Sequence, residues 1–171
     1  MNPQDAKLVS DFLLATLETE IPTTTNVFRA LPSDRLDYRP DPVSKTALGL
    51  MRHIALEDVW FLKAVADGTF AAIPDDSDEC GVMTPADAVA FYNDHMPAVI
   101  SRIRTMSGEA LLQEVDLFGM MKLPALQFLS MALRHSTHHR GQLTAYLRAM
   151  GGKVPSVYGP SADTPLMAAK A

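Results

Sequence analysis

Apolar residues recur at helical spacing in four separate stretches of this chain, and strand signals are weak throughout. Leu8, Phe12, Leu13, Ala15, Leu17 and Ile21 carry the first stretch, over residues 4–30, with Pro22 placed to end or kink it. The second begins near Ser44 or Thr46, either a suitable cap, and runs to Ala66, where Asp67-Gly68 stops it. The third opens at Thr84-Pro85-Ala86-Asp87, a cap followed by proline at the first helical position, and ends near Ser107-Gly108. The fourth runs from Pro124 to Met150 and ends at Gly151-Gly152. Leu31 to Pro42 and residues 68–83 read as loops, and Glu114 to Met121 as a short hairpin or an irregular turn. Residues 153–171, rich in Pro, Gly and Ser, form a tail expected to be extended. This pattern predicts an all-α fold: a four-helix bundle with long connections and an extended C-terminal tail, as a single domain over residues 1–171.

Bulk properties exclude several classes of function. The net charge is −5 and no Lys/Arg cluster or basic stripe is present, which argues against a nucleic-acid partner. No apolar run approaches the roughly 18 residues needed to span a bilayer, and Met1 to Asp5 lacks the start of a signal peptide. Cys80 is the only cysteine, so an intramolecular disulfide is impossible. Its neighbours Asp75, Asp76, Asp78 and Glu79 disfavour a thiolate nucleophile. The expectation is a cytoplasmic protein with a small-molecule substrate and no membrane partner.

The chemistry concentrates in His135-Ser136-Thr137-His138-His139. With 3.6 residues per turn, His135 and His139 stand one above the other on one helix face. Phe128, Met131, Ala132, Gln142, Leu143 and Tyr146 cluster around the same direction, so both histidines should point into the bundle. His138 lies about 80° off their midline and reads as an edge residue. On the second helix, Thr46, Leu50, Glu57, Trp60 and Ala64 share the face of His53, which should also point inward. Three imidazoles from two helices would make a metal site with an open position, suited to Zn, Ni, Fe or Cu. Glu57, one turn beyond His53, can orient an imidazole, act as a ligand, or serve as a general base; its plainer reading is a helix-face salt bridge. Gln142 is placed either to hydrogen-bond near the site or to tie two helices together. A lone inward histidine is ordinarily a hydrogen-bonded core residue. Two on one apolar face are harder to satisfy that way, because each needs a buried polar partner. His95 has no spaced partner and reads as a helix-flank residue.

The run His135-Ser136-Thr137-His138-His139-Arg140-Gly141-Gln142-Leu143 resembles the H-x-x-x-H-R-G-Q signature of the DinB/YfiT-like superfamily of metalloenzymes. Leu36-Asp37-Tyr38-Arg39-Pro40 through Leu50-Met51-Arg52-His53-Ile54 looks like that family's lead into its second helix, and Val154 to Asp163 is similar to its tail. The resemblance extends from about residue 8 to residue 165. It implies a four-helix bundle, often a homodimer, holding a divalent metal through His53, His135 and His139. Activities it implies include thiol-dependent S-transfer with low-molecular-weight thiols such as bacillithiol or mycothiol, with hydrolysis a close variant. Glu57 would then orient a ligand or carry a proton. The competing expectation is a non-catalytic, metal-binding or dimer-forming stress-response bundle. Tyr158 and Ser161 would either fold over the pocket or pack the tail against the bundle, and packing is the favoured reading.

Overall fold

The side chain of Asn2 accepts the Asp5 amide at 2.8 Å, and Pro3 takes the first helical position, where a missing N–H costs nothing. From there α1 runs over Pro3–Arg29 in the computed structural model, which describes residues 1–165. Pro22 does not end this helix. It lies on the solvent-facing side, where water can satisfy the carbonyl it leaves unpaired.

Thr46 caps α2 (Ala47–Asp67) by accepting the Gly49 amide at 3.0 Å, and Gly68 ends it in the left-handed region, φ 70°. A single 3-10 turn, Asp78–Cys80, interrupts the loop that follows. Thr84 and Asp87 cap α3 (Pro85–Arg104) reciprocally. This helix stops at Arg104, short of the expected Ser107-Gly108. Those two residues instead begin a separate short helix, α4 (Gly108–Leu112), with Ser107 as its cap. Position 108 has to be glycine: a Cβ there would lie 1.9 Å from the Pro3 carbonyl oxygen, where α4 abuts the start of α1.

The open choice between hairpin and irregular turn resolves as a hairpin. Strand β1 (Glu114–Leu117) pairs antiparallel with β2 (Met121–Pro124), in the register Glu114 to Pro124 and Leu117 to Met121. Phe118 and Gly119 make the turn with φ 51° and 73°, and the Phe118 ring lies 6.2 Å from that of Trp60. Helix α5 (Ala125–Ala149) completes the fold.

Helices α1 and α2 each pack against both α3 and α5, so the four long helices close into a bundle. Phe28, Tyr92, Ile100 and Phe128 lie wholly within its core, with the Phe28 and Tyr92 rings edge-on at 5.8 Å. The described part of the tail packs against the bundle through Val154 and Val157, and the Tyr158 hydroxyl donates to Glu20 at 3.0 Å. Residues 166–171, part of the tail expected to be extended, lie outside the described residues. No helix among the described residues is long and apolar enough to cross a membrane.

Candidate metal centre

The extensively packed pair α2 and α5 brings His53, His135 and His139 together. His53 Nε2 lies 3.1 Å from His139 Nε2 and 3.2 Å from His135 Nε2. Nitrogens at these separations can both sit about 2.0–2.1 Å from one shared ion.

The other ring nitrogens explain why the Nε2 atoms face one another. His53 Nδ1 donates to Glu57 Oε1 at 2.8 Å, His139 Nδ1 to Gln142 Oε1 at 2.7 Å, and His135 Nδ1 to Asp58 Oδ1 at 3.2 Å. Each bond puts the imidazole proton on Nδ1 and turns the bare Nε2 lone pair inward. Lone pairs this close repel unless a proton or a cation lies among them. The donor set therefore fits a divalent ion, with Zn, Ni and Fe all compatible with imidazole nitrogen.

The titration of the cluster agrees with that geometry. Burial alone would depress His135, but hydrogen bonds to Asp58 and Glu57 outweigh it and raise its pKa to about 9. Without an ion, His135 thus carries the proton that relieves the crowding, within 3.3 Å of Glu57 Oε2. Burial lowers His139 to about 4; its bond to Gln142 opposes this, and like charge on the neighbouring imidazoles adds to it. Burial pushes Glu57 upward, yet its hydrogen bonds with His135 and His53 win and hold it near 2. Glu57 is thus a carboxylate, with one oxygen 2.8 Å from His53 Nδ1 and the other 3.3 Å from His135 Nε2.

Asp58, 1% exposed, is the residue that sequence reasoning missed. Its Oδ1 accepts a hydrogen bond from His135 Nδ1 at 3.2 Å and its Oδ2 accepts one from the Tyr92 hydroxyl at 2.8 Å. Burial and this carboxylate keep the Tyr92 phenol un-ionised, its pKa far above the usual value. A signal was present: an acidic residue directly before Val59-Trp60-Phe61-Leu62, in a helix buried nearly all round. Arg140 is buried as well. The buried stripe of α5 passes through Ala132, Ser136, Arg140, Leu143 and Leu147, so His135 and His139 flank the core instead of centring on it. Arg140, 1% exposed, pairs with Glu20 at 2.5 Å, donates to Thr24 at 2.8 Å and touches the Tyr158 hydroxyl.

Gln142 takes the first of its two expected roles, holding His139. His138 is exposed and lies outside the cluster, its ring 4.8 Å from that of His139. His95 sits on the flank of α3, bonded to the Phe91 carbonyl at 2.9 Å.

The chain is similar to several known proteins in sequence and in fold. The uncharacterised protein YrdA of Bacillus subtilis (strain 168) is 27% identical over 154 residues, covering 90% of this chain and 90% of that protein. The fold is shared with YfiT from Bacillus subtilis, a probable metal-dependent hydrolase with an unusual four-helix bundle topology. Its TM-score is 0.70 at 15% identity, over 84% of this chain and 89% of that one. A mycothiol-dependent maleylpyruvate isomerase also shares the fold, with a TM-score of 0.58 at 13% identity over 84% of this chain and 61% of the other. The DinB family as a whole matches residues 7–166, the bundle and its histidine cluster included, and the chain belongs to that family.

Proposed function

We propose that this protein is a divalent-metal-dependent enzyme that transfers a thiol, or water, to a small electrophile. The observation that carries the reading is the inward turn of three Nε2 atoms while every Nδ1 proton is held by a carboxylate or amide oxygen. His53, His135 and His139 are the ligands in this reading, Glu57, Asp58 and Gln142 the groups that aim them. A bound divalent ion supplies Lewis acidity, bringing the pKa of a water or a thiol into the range where its deprotonated form attacks at neutral pH. Glu57 keeps its second oxygen beside the cluster as an acceptor, and Asp58 keeps His135 in the tautomer that presents Nε2.

His139 borders a cavity of about 250 Å3 that opens to solvent, so one ligand of the set is reached from outside. That opening favours an enzyme over a sealed, non-catalytic metal-binding bundle. The names of the two structural relatives, one a probable hydrolase and one a mycothiol-dependent isomerase, lend support to water and to a thiol respectively.

Incubation of untagged, metal-loaded protein with chlorodinitrobenzene, with and without cysteine, tests the proposal. Thiol transfer gives the dinitrophenyl thioether, hydrolysis gives dinitrophenol, and chloride leaves in both. The expected result is product formation above the uncatalysed rate that disappears on chelation. Rates equal to the metal-free control for this and a panel of alkyl halide and epoxide electrophiles would leave the non-catalytic bundle as the correct reading.

A further inference from the structure

The cavity beside His139 has a chemical character of its own. Ser44 and Lys45 on the lead into α2, Leu50 on α2, and His139, Gln142 and Tyr146 on α5 line it. Among these six, Lys45 alone carries a fixed charge. Gln142 spends its oxygen on His139 Nδ1, so its amide NH2 is the group left to donate. The Tyr146 hydroxyl donates its proton to the Lys45 carbonyl across 3.3 Å, and the Ser44 hydroxyl donates its own to Asp41 Oδ2 at 2.6 Å. The wall therefore offers two donors, the Gln142 amide and the Lys45 ammonium. The start of α2 adds nothing to it: the Ala47 and Leu48 amides are taken by the Tyr38 and Leu36 carbonyls, and the Gly49 amide by Thr46.

We propose that the substrate of this site carries a carboxylate, received by Lys45 with help from Gln142, and that Asp76 occupies Lys45 until the substrate arrives. The inference rests on the metal-enzyme reading and adds the substrate class to it. Lys45 Nζ meets Asp76 Oδ2 at 2.5 Å, with side chains 46% and 39% exposed. A pair so wet is weak, so exchanging one carboxylate for another costs little. Asp76 stays in place when displaced, because Arg52, buried in α2, holds its backbone carbonyl at 3.1 Å and the Val82 carbonyl at 2.6 Å.

The test uses cobalt-loaded protein titrated with mercaptopropionate and with its neutral amide, mercaptopropionamide, followed by the sulfur-to-cobalt charge-transfer band. The acid should saturate the band at about tenfold lower concentration than the amide, the range of one charge-assisted hydrogen bond. Lys45→Gln should erase that preference, the acid losing about tenfold relative to the amide. Asp76→Asn should widen it, by removing the competing carboxylate. Equal affinity for acid and amide in the unaltered protein, or a preference that survives Lys45→Gln, overturns the inference while the metal reading stands. Failure to take up cobalt, or a band that neither thiol moves, overturns the metal-enzyme reading itself, and the inference falls with it.

Discussion

Asp58 ties two groups from different helices to one buried carboxylate, and its removal should be felt at the metal and not in the fold. Asp58→Asn keeps the shape and a hydrogen bond to Tyr92 but weakens the grip on His135 Nδ1. Loss of such an orienting partner commonly costs about 10–100-fold in metal affinity. Competition with a chromophoric chelator measures it; unchanged affinity would remove Asp58 from the site. His135 also gives the centre a pH dependence. Its metal-free pKa is raised from 6.5 to about 9, so at neutral pH an ion must displace its proton. Apparent metal affinity should climb by up to tenfold per pH unit through neutrality and level off near pH 9. The sign reverses for the metal-free fold: a raised pKa stabilises fully below 6.5, and that contribution is lost as the pH rises through 9. Calorimetry in buffers of different ionisation enthalpy would register the released proton, and no release at pH 7 would contradict the assignment.

At the scale of elements, caps made the helices legible. Thr46 and Thr84 mark their starts with a side chain that the first turn requires, and Gly68 marks an end. Helix α4 escaped notice because five residues are too few to display a period. The spacing of His135 and His139 told which helix face bears the chemistry. It did not reveal Asp58, whose partner Tyr92 is 34 residues away in the chain, nor Arg140, whose partner Thr24 is 116 away. Pairings at such range depend on how helices pack, which no local pattern encodes. The Arg140–Glu20 pair makes its own prediction. Arg140→Met would leave Glu20, 8% exposed, without its cation, and should destabilise the protein by about 3–5 kcal/mol in urea unfolding. A loss below 1 kcal/mol would show that the tail and Thr24 hold this junction without it. Gly108→Ala, which sets a Cβ against the Pro3 carbonyl, should cost about 1–3 kcal/mol by the same measurement.

For the molecule as a whole, the histidines sit where two helices of the bundle meet at the edge of the core, and this position reconciles rigidity with access. Buried Met51, Ile54 and Leu62 on α2 and Phe128, Leu129 and Leu143 on α5 fix the two backbones, while His139 borders a solvent-open cavity. Because the site is assembled only in the folded chain, an ion at one hundred times its dissociation constant should add about 2.7 kcal/mol to stability. The most direct test is the metal content of untagged protein and of His139→Ala, by elemental analysis beside circular dichroism. About one equivalent of a first-row divalent metal per chain, lost in His139→Ala while the helical spectrum persists, is the predicted result. Metal-free protein that stays metal-free after reconstitution, or a variant that keeps its full equivalent, would contradict the claim that these three imidazoles share an ion.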